Sequence, residues 1–276
     1  MPRAKEPAQL FFCHYDYVKR RHLSFFRTTL IMNRSRIIPL LFAVLCSWVF
    51  QVQANVVISG TRLVYPAKDR EITVKTTNMG KEPSMVQVWI DRGDPNSRAD
   101  NANAPFLITP PLVRIEPNKG QAFRIVFTGA ALPKDRESIF WFNLLDVPPL
   151  PKDAEANVMQ VAYRSRIKLF YRPDGLAGNP VKAAESLTWS RGAPGKSGVA
   201  LQVRNNSPFY VSLANVSLKS GSAVFKDTEG KTLPPFSTED ITLKGAGALP
   251  TGQTNVTYSW VNDYGAAVEQ TTPLTP

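Results

Sequence analysis

From about residue 55 onward, apolar and polar residues alternate in short runs separated by Gly, Pro, Asn and Asp. Glu71–Thr76, Met85–Ile90 and Ala122–Phe127 show it in the first half, Gly198–Val203 and Tyr210–Val216 in the second. Alternate residues of an extended chain point to opposite faces, so each run predicts a strand with one face on a core. Long stretches at helical spacing are absent. The pattern therefore predicts an all-β protein, an antiparallel sandwich or barrel. Arg172–Pro180 holds two prolines and two glycines and interrupts the pattern, which places a hinge there. Two sandwiches of roughly 100 residues follow, expected over 55–173 and 181–276.

The N-terminal stretch reads differently. Basic residues Arg34 and Arg36 precede an apolar run from Ile37 to Phe50, and Val52-Gln53-Ala54 supplies a small-x-small cleavage site. These are the three parts of a secretory signal peptide, expected over 32–54, with cleavage after Ala54. The run falls short of the ~20 residues a spanning helix needs, so no membrane insertion of the mature chain is expected. Residues 1–31 precede a second methionine and read as an upstream extension.

Cleavage changes the chemistry on offer. Both histidines (His14, His22) and both cysteines (Cys13, Cys46) precede Ala54, so the remaining 222 residues contain neither. That excludes a disulfide framework, a thiolate nucleophile, a His or Cys metal site and a Ser-His-Asp triad. No cofactor and no catalysis are expected. The first 54 residues carry eight Lys or Arg and two Asp or Glu, which brings the formal charge from +11 to +5. The remaining cations are scattered among acids, so nucleic acid is not an expected partner.

The densest motif runs Leu132-Pro133-Lys134-Asp135-Arg136-Glu137-Ser138-Ile139-Phe140-Trp141-Phe142-Asn143-Leu144-Leu145-Asp146-Val147-Pro148-Pro149. It is a charged turn, an aromatic strand and a double proline that ends pairing. It closely resembles the signature of the periplasmic chaperones of the chaperone–usher pathway, which assemble pili and fimbriae. Thr109-Pro110-Pro111, Arg114–Pro117, Ile167–Pro173, Asn206–Val211 and Asn262-Asp263-Tyr264-Gly265 resemble the same family in the same order.

The resemblance implies two immunoglobulin-like β-sandwich domains set at an angle around a cleft, working in the periplasm with pilus subunits and an outer-membrane usher as partners. It implies that Asn157–Lys168 is a strand lent to a subunit lacking its own last strand, with Met159, Val161 and Tyr163 filling the subunit's groove. Tyr163 stands where the family more often has an aliphatic residue. The short stretch Leu150–Ala156 resembles the subclass that builds rod-like pili or fimbriae. Arg62 and Lys168 match the pair that grips the subunit's C-terminal carboxylate. Arg124, Glu137 and Asp263 match a charge network joining the two domains. An uncovered strand edge also favours a self-capping dimer in the free state. Two readings compete on the residues alone: a secreted adhesin of the same fold, and an exported hydrolase built on paired carboxylates.

Overall fold

The computed structural model describes residues 55–150, 159–192, 199–220, 223–245 and 254–275. The expected leader, the stretch before it, nearly all of Leu150–Ala156, and Asn157 and Val158 of the expected lent strand lie outside the described residues.

Among the described residues nine strands form the first sandwich: β1 (Val56–Ile58), β2 (Arg62–Pro66), β3 (Ile72–Asn78), β4 (Ser84–Asp91), β5 (Phe106–Thr109), β6 (Leu112–Ile115), β7 (Gly120–Phe127), β8 (Ser138–Val147) and β9 (Tyr163–Arg172). One sheet has the order β1-β3-β7-β5 and the other β2-β9-β8-β4-β6. Val74, Val86, Phe123, Ile125, Phe142 and Leu169 lie in the core between them. These positions follow the period-two alternation: in β7, Phe123 and Ile125 are fully buried while Ala122 and Arg124 face out.

After Arg172 the chain turns through Pro173–Asn179 into one short helix, α1 (Pro180–Glu185). Asn179 caps it by accepting from the Lys182 amide at 2.9 Å, and Pro180 opens it with the fixed φ that a first turn needs. The alternation pattern had not predicted this turn of helix. The second sandwich contains β10 (Thr188–Arg191), β11 (Val199–Asn205), β12 (Val211–Ser220), β13 (Ala223–Asp227), β14 (Lys231–Leu233), β15 (Ser237–Leu243), β16 (Asn255–Val261) and β17 (Ala267–Pro273). Its sheets run β10-β11-β15 and β13-β12-β16-β17, with β14 also on β12, around Trp189, Leu201, Leu218, Phe225 and Tyr258.

One local device governs the functional region. The first stretch of chain serves both sheets: β1 pairs with β3, and then β2 pairs in parallel with β9. Ser59-Gly60-Thr61 makes the crossing, and Gly60 sits at φ 116°, where side chains are strained. Because the crossing uses up residues, β2 begins only at Arg62 and reaches only Lys168–Arg172 of β9. Tyr163–Ile167 are paired with β8 alone.

The crossing also meets the second sandwich. Gly265, in the β16–β17 turn at φ 86°, packs so closely on Thr61 that a methyl group there would collide with the Thr61 hydroxyl. Gly265→Ala should therefore lower stability by about 1–2 kcal/mol through backbone strain alone, and by more through the collision. Thr61→Ala in that background should restore only the collision part, as measured by chemical denaturation.

Candidate functional site

β9 carries two different faces. Ile167, Leu169 and Tyr171 pack into the first core. The same period continues backward through Tyr163, Val161 and Met159, which stand beyond the sandwich rim at 40%, 45% and 89% exposure. Regular strand geometry starts only at Tyr163, opposite Asp146. On the β8 side Pro148 and Pro149 follow and offer no amide donor, so the ladder has no partner to continue with. The expected lent strand is thus a short antiparallel ribbon preceded by an unpaired segment, tied down at Gln160, whose side-chain Nε2 donates to the Pro148 carbonyl at 2.6 Å. Only Tyr163 and Arg164 of the expected alternating residues lie in the paired part, and further along Phe170 is buried on the parity that Arg164, Arg166 and Lys168 share.

Arg62 and Lys168 are direct partners in the parallel β2–β9 ladder, and both side chains enter the junction between the sandwiches. Arg62 Nη1 donates to the Val261 carbonyl at 2.7 Å, while its buried Nε has no partner among the described residues. Lys168 Nζ donates to Ser212 Oγ at 3.1 Å and to the Thr232 hydroxyl. Neither cation is ion-paired with a carboxylate among the described residues. Burial lowers the affinity of the Arg62 guanidinium for its proton, with partial relief from Asp263. Burial, reinforced by repulsion from Arg62, pushes the Lys168 ammonium down to about 8. Two adjacent, partly desolvated cations without a counterion make a seat for an anion.

The expected charge network is corrected in one member. Arg124 lies on the exposed outer face of β7, opposite Thr73 and Thr109, and among the described residues it forms no ion pair with Glu137 or Asp263, which both pair with Arg172. Its neighbours Phe123 and Ile125 occupy the core, so alternation forces Arg124 outward. The bridging cation is Arg172. Its Nε donates to Glu137 Oε1 at 2.6 Å, and its Nη1 and Nη2 donate to the Asp263 carboxylate at 2.8 and 3.1 Å. Glu137 also accepts from the Tyr210 amide at 2.8 Å and is almost fully buried. Burial pushes its carboxyl up, against the opposing pull of Arg172. A signal for Arg172 was present, since it shares its parity on β9 with Lys168 and so faces the junction. The enclosed space beside Arg62, Glu137, Arg172, Tyr210 and Asp263 is only about 10 Å³, room for a single water at most.

Among the described residues no group of His, Cys, Asp and Glu is placed to hold a metal, and no helix is long and apolar enough to cross a membrane. Two β-sandwiches in sequence, the first with an unpaired stretch of strand edge on β9, define a two-domain all-β class of protein. Residues 55–177 match the family described as pili and flagellar-assembly chaperone, PapD N-terminal domain, and residues 182–272 match the family described as pili assembly chaperone PapD, C-terminal domain. The chain belongs to this family of pilus chaperones. It is 42% identical over 228 residues to the chaperone protein FimB/FhaD of Bordetella pertussis, covering 81% of this chain and 89% of that protein. It is 41% identical over 221 residues to the probable fimbrial chaperone YadV of Escherichia coli K12, covering 78% and 88%. The YadV crystal structure superposes with a TM-score of 0.69 at 38% identity, over 80% of this chain and 100% of that one. The SafB chaperone of Salmonella enterica, solved in complex with the SafA pilin, gives 0.64 at 28% identity, over 80% and 95%.

Reassigning the bridge has a direct consequence. Arg172→Met leaves Glu137 charged and buried, and should cost on the order of 3 kcal/mol in denaturant unfolding. Arg124→Met, an exposed change, should stay within about 0.5 kcal/mol. Equal effects from the two would contradict the assignment.

Proposed function

We propose that this protein captures pilus or fimbrial subunits in the periplasm by donor-strand complementation and delivers them to an outer-membrane usher. The observation that carries the reading is the half-paired strand β9, whose free edge ends beside Arg62 and Lys168. A subunit lacking its last strand exposes a groove and two unpaired edges, which aggregate unless covered. The free edge of Tyr163–Ile167 offers main-chain hydrogen bonds to such a subunit. Met159, Val161 and Tyr163 enter the groove, each contributing roughly 1.5–3 kcal/mol by area burial before ordering costs. The subunit's terminal carboxylate takes the seat between Arg62 and Lys168, where each charge-assisted bond contributes on the order of 1.5–3 kcal/mol. SafB, a relative of the same fold, is known in complex with a pilin.

In this reading cleavage after Ala54 produces the mature chain, with a chaperone domain over 55–173 and a second domain over 181–276. Glu137, Arg172 and Asp263 hold the angle between the domains and take no part in contact with the subunit. The protein acts by binding, without turnover. Four carboxylates are engaged otherwise than the hydrolase reading needs: Asp91, Glu137 and Asp146 are spent on structural hydrogen bonds, and Asp263 on Arg172.

Co-expression with a subunit encoded in the same gene cluster should yield a one-to-one periplasmic complex, lost in Arg62→Ala and in Lys168→Ala while both remain folded. Undiminished complex in both variants contradicts the carboxylate seat. A pH series adds a second check. Lys168 must carry its proton to hold a carboxylate, and in the free protein it loses that proton near pH 8. Subunit affinity should therefore weaken above about pH 8, by up to roughly tenfold per unit. In Lys168→Arg, which stays charged, the decline should disappear.

A further inference from the structure

The outer face of β9 carries cations at two-residue intervals: Arg164, Arg166 and Lys168, with Arg62 beside the last. They form two successive two-cation seats, Arg164 with Arg166 and Lys168 with Arg62. Only the first already holds a carboxylate. Asp91, at the end of β4, is 2% exposed and accepts from Arg166 through both oxygens, Nη2 to Oδ1 at 2.7 Å and Nε to Oδ2 at 3.3 Å. Arg164 Nη2 stands 3.8 Å from the same carboxylate. The remaining lone pairs of Asp91 accept from the Gly93 amide, Ser97 Oγ and Asn143 Nδ2 at 2.6, 3.0 and 2.7 Å. Arg164 in turn donates to Asn143 Oδ1 at 2.8 Å and to the Pro95 carbonyl at 2.7 Å. The two guanidinium groups lie over Trp89 and Trp141, at 5.0 and 4.2 Å from the ring centres.

This arrangement answers a problem that the apolar pattern of the strand cannot solve. A one-residue slip of a guest strand against β9 turns every guest side chain to the wrong face and is excluded by burial. A two-residue slip, about 7 Å, keeps the faces and is not excluded. In that slipped register the guest's terminal carboxylate reaches Arg166 and Arg164. We infer that Asp91 is a specificity-determining residue which, as a resident carboxylate, fills the duplicate seat and so confines the guest's carboxylate to Lys168 and Arg62. Register is then set by occupying the wrong site as well as by offering the right one. The inference rests on the strand-lending function proposed above.

The test is a suppression experiment, read as the yield of complex on co-expression with the subunit from the same gene cluster, with folding checked by circular dichroism. Lys168→Ala should lower capture at least tenfold. Adding Asp91→Asn, which frees Arg166 and Arg164 while keeping the shape and the Ser97 contact, should bring capture back to within about threefold of wild type. Adding Arg166→Gln to that double variant should remove it again. Two results overturn the inference: a folded Asp91→Asn/Lys168→Ala protein that captures no more than Lys168→Ala, or a triple variant with Arg166→Gln that captures as well as that double variant. Asp91→Ser, smaller and neutral, takes the place of Asp91→Asn and is read in the same way if the asparagine does not fold. Failure of the wild-type chain to capture any subunit overturns the strand-lending function itself, and the register role with it.

Discussion

The functional architecture depends on β9 being paired along only half its length. Its C-terminal half lies between β2 and β8 and is held as an interior strand. Its N-terminal half has β8 alone. The cause is upstream: the first strand crosses between the two sheets at Gly60, and what remains of it reaches only as far as Arg62. An edge left open in this way invites pairing with any extended chain, including a second copy of the protein. The open segment is short and bears Arg164 and Arg166 on its outer face, which limits indiscriminate pairing while leaving the edge available.

The charges on and around β9 follow a consistent division. Moving along the even-numbered positions, Arg166 is neutralised by Asp91 and Arg172 by Glu137 and Asp263. Lys168, between them, has hydroxyl partners only, and its ladder neighbour Arg62 a carbonyl. Partly buried cations without a counterion are costly, and the lowered proton affinity of Lys168 is the sign of that cost. The flanking ion pairs make the same strand rigid and confine the unmet charge to one place. In the proposed function an incoming carboxylate would relieve the cost where it is concentrated, so that affinity and register would arise from the same residues.

Much of this was legible in the sequence, for a simple reason. A half-buried strand writes its geometry as period-two alternation, so Phe123 and Ile125 in β7 and the aromatic run of β8 could be assigned directly. The same rule, applied strictly, places Arg124 outside and Arg172 at the junction, and resemblance to a family motif misdirected the assignment where periodicity did not. Other features depend on contacts distant in the chain. That β9 becomes regular only at Tyr163 is decided by Pro148 and Pro149 on its partner strand. That Asp91 meets Arg166 requires β4, β8 and β9 to be neighbours in register, and no local pattern encodes that pairing. The single turn α1 was too short to show a helical period, although Asn179-Pro180 is a recognisable start.

The central claim is that the open edge of β9 is the surface on which another polypeptide folds. Amide hydrogen exchange, measured for the free protein and for its complex with a pilus subunit, tests it most directly. Amides of residues 159–162, and those of Tyr163–Ile167 that point away from β8, should exchange quickly in the free protein and become strongly protected in the complex, with those of the edge strands β6 and β17 unchanged. Protection appearing elsewhere, with residues 159–167 still exchanging as in the free protein, would contradict the account.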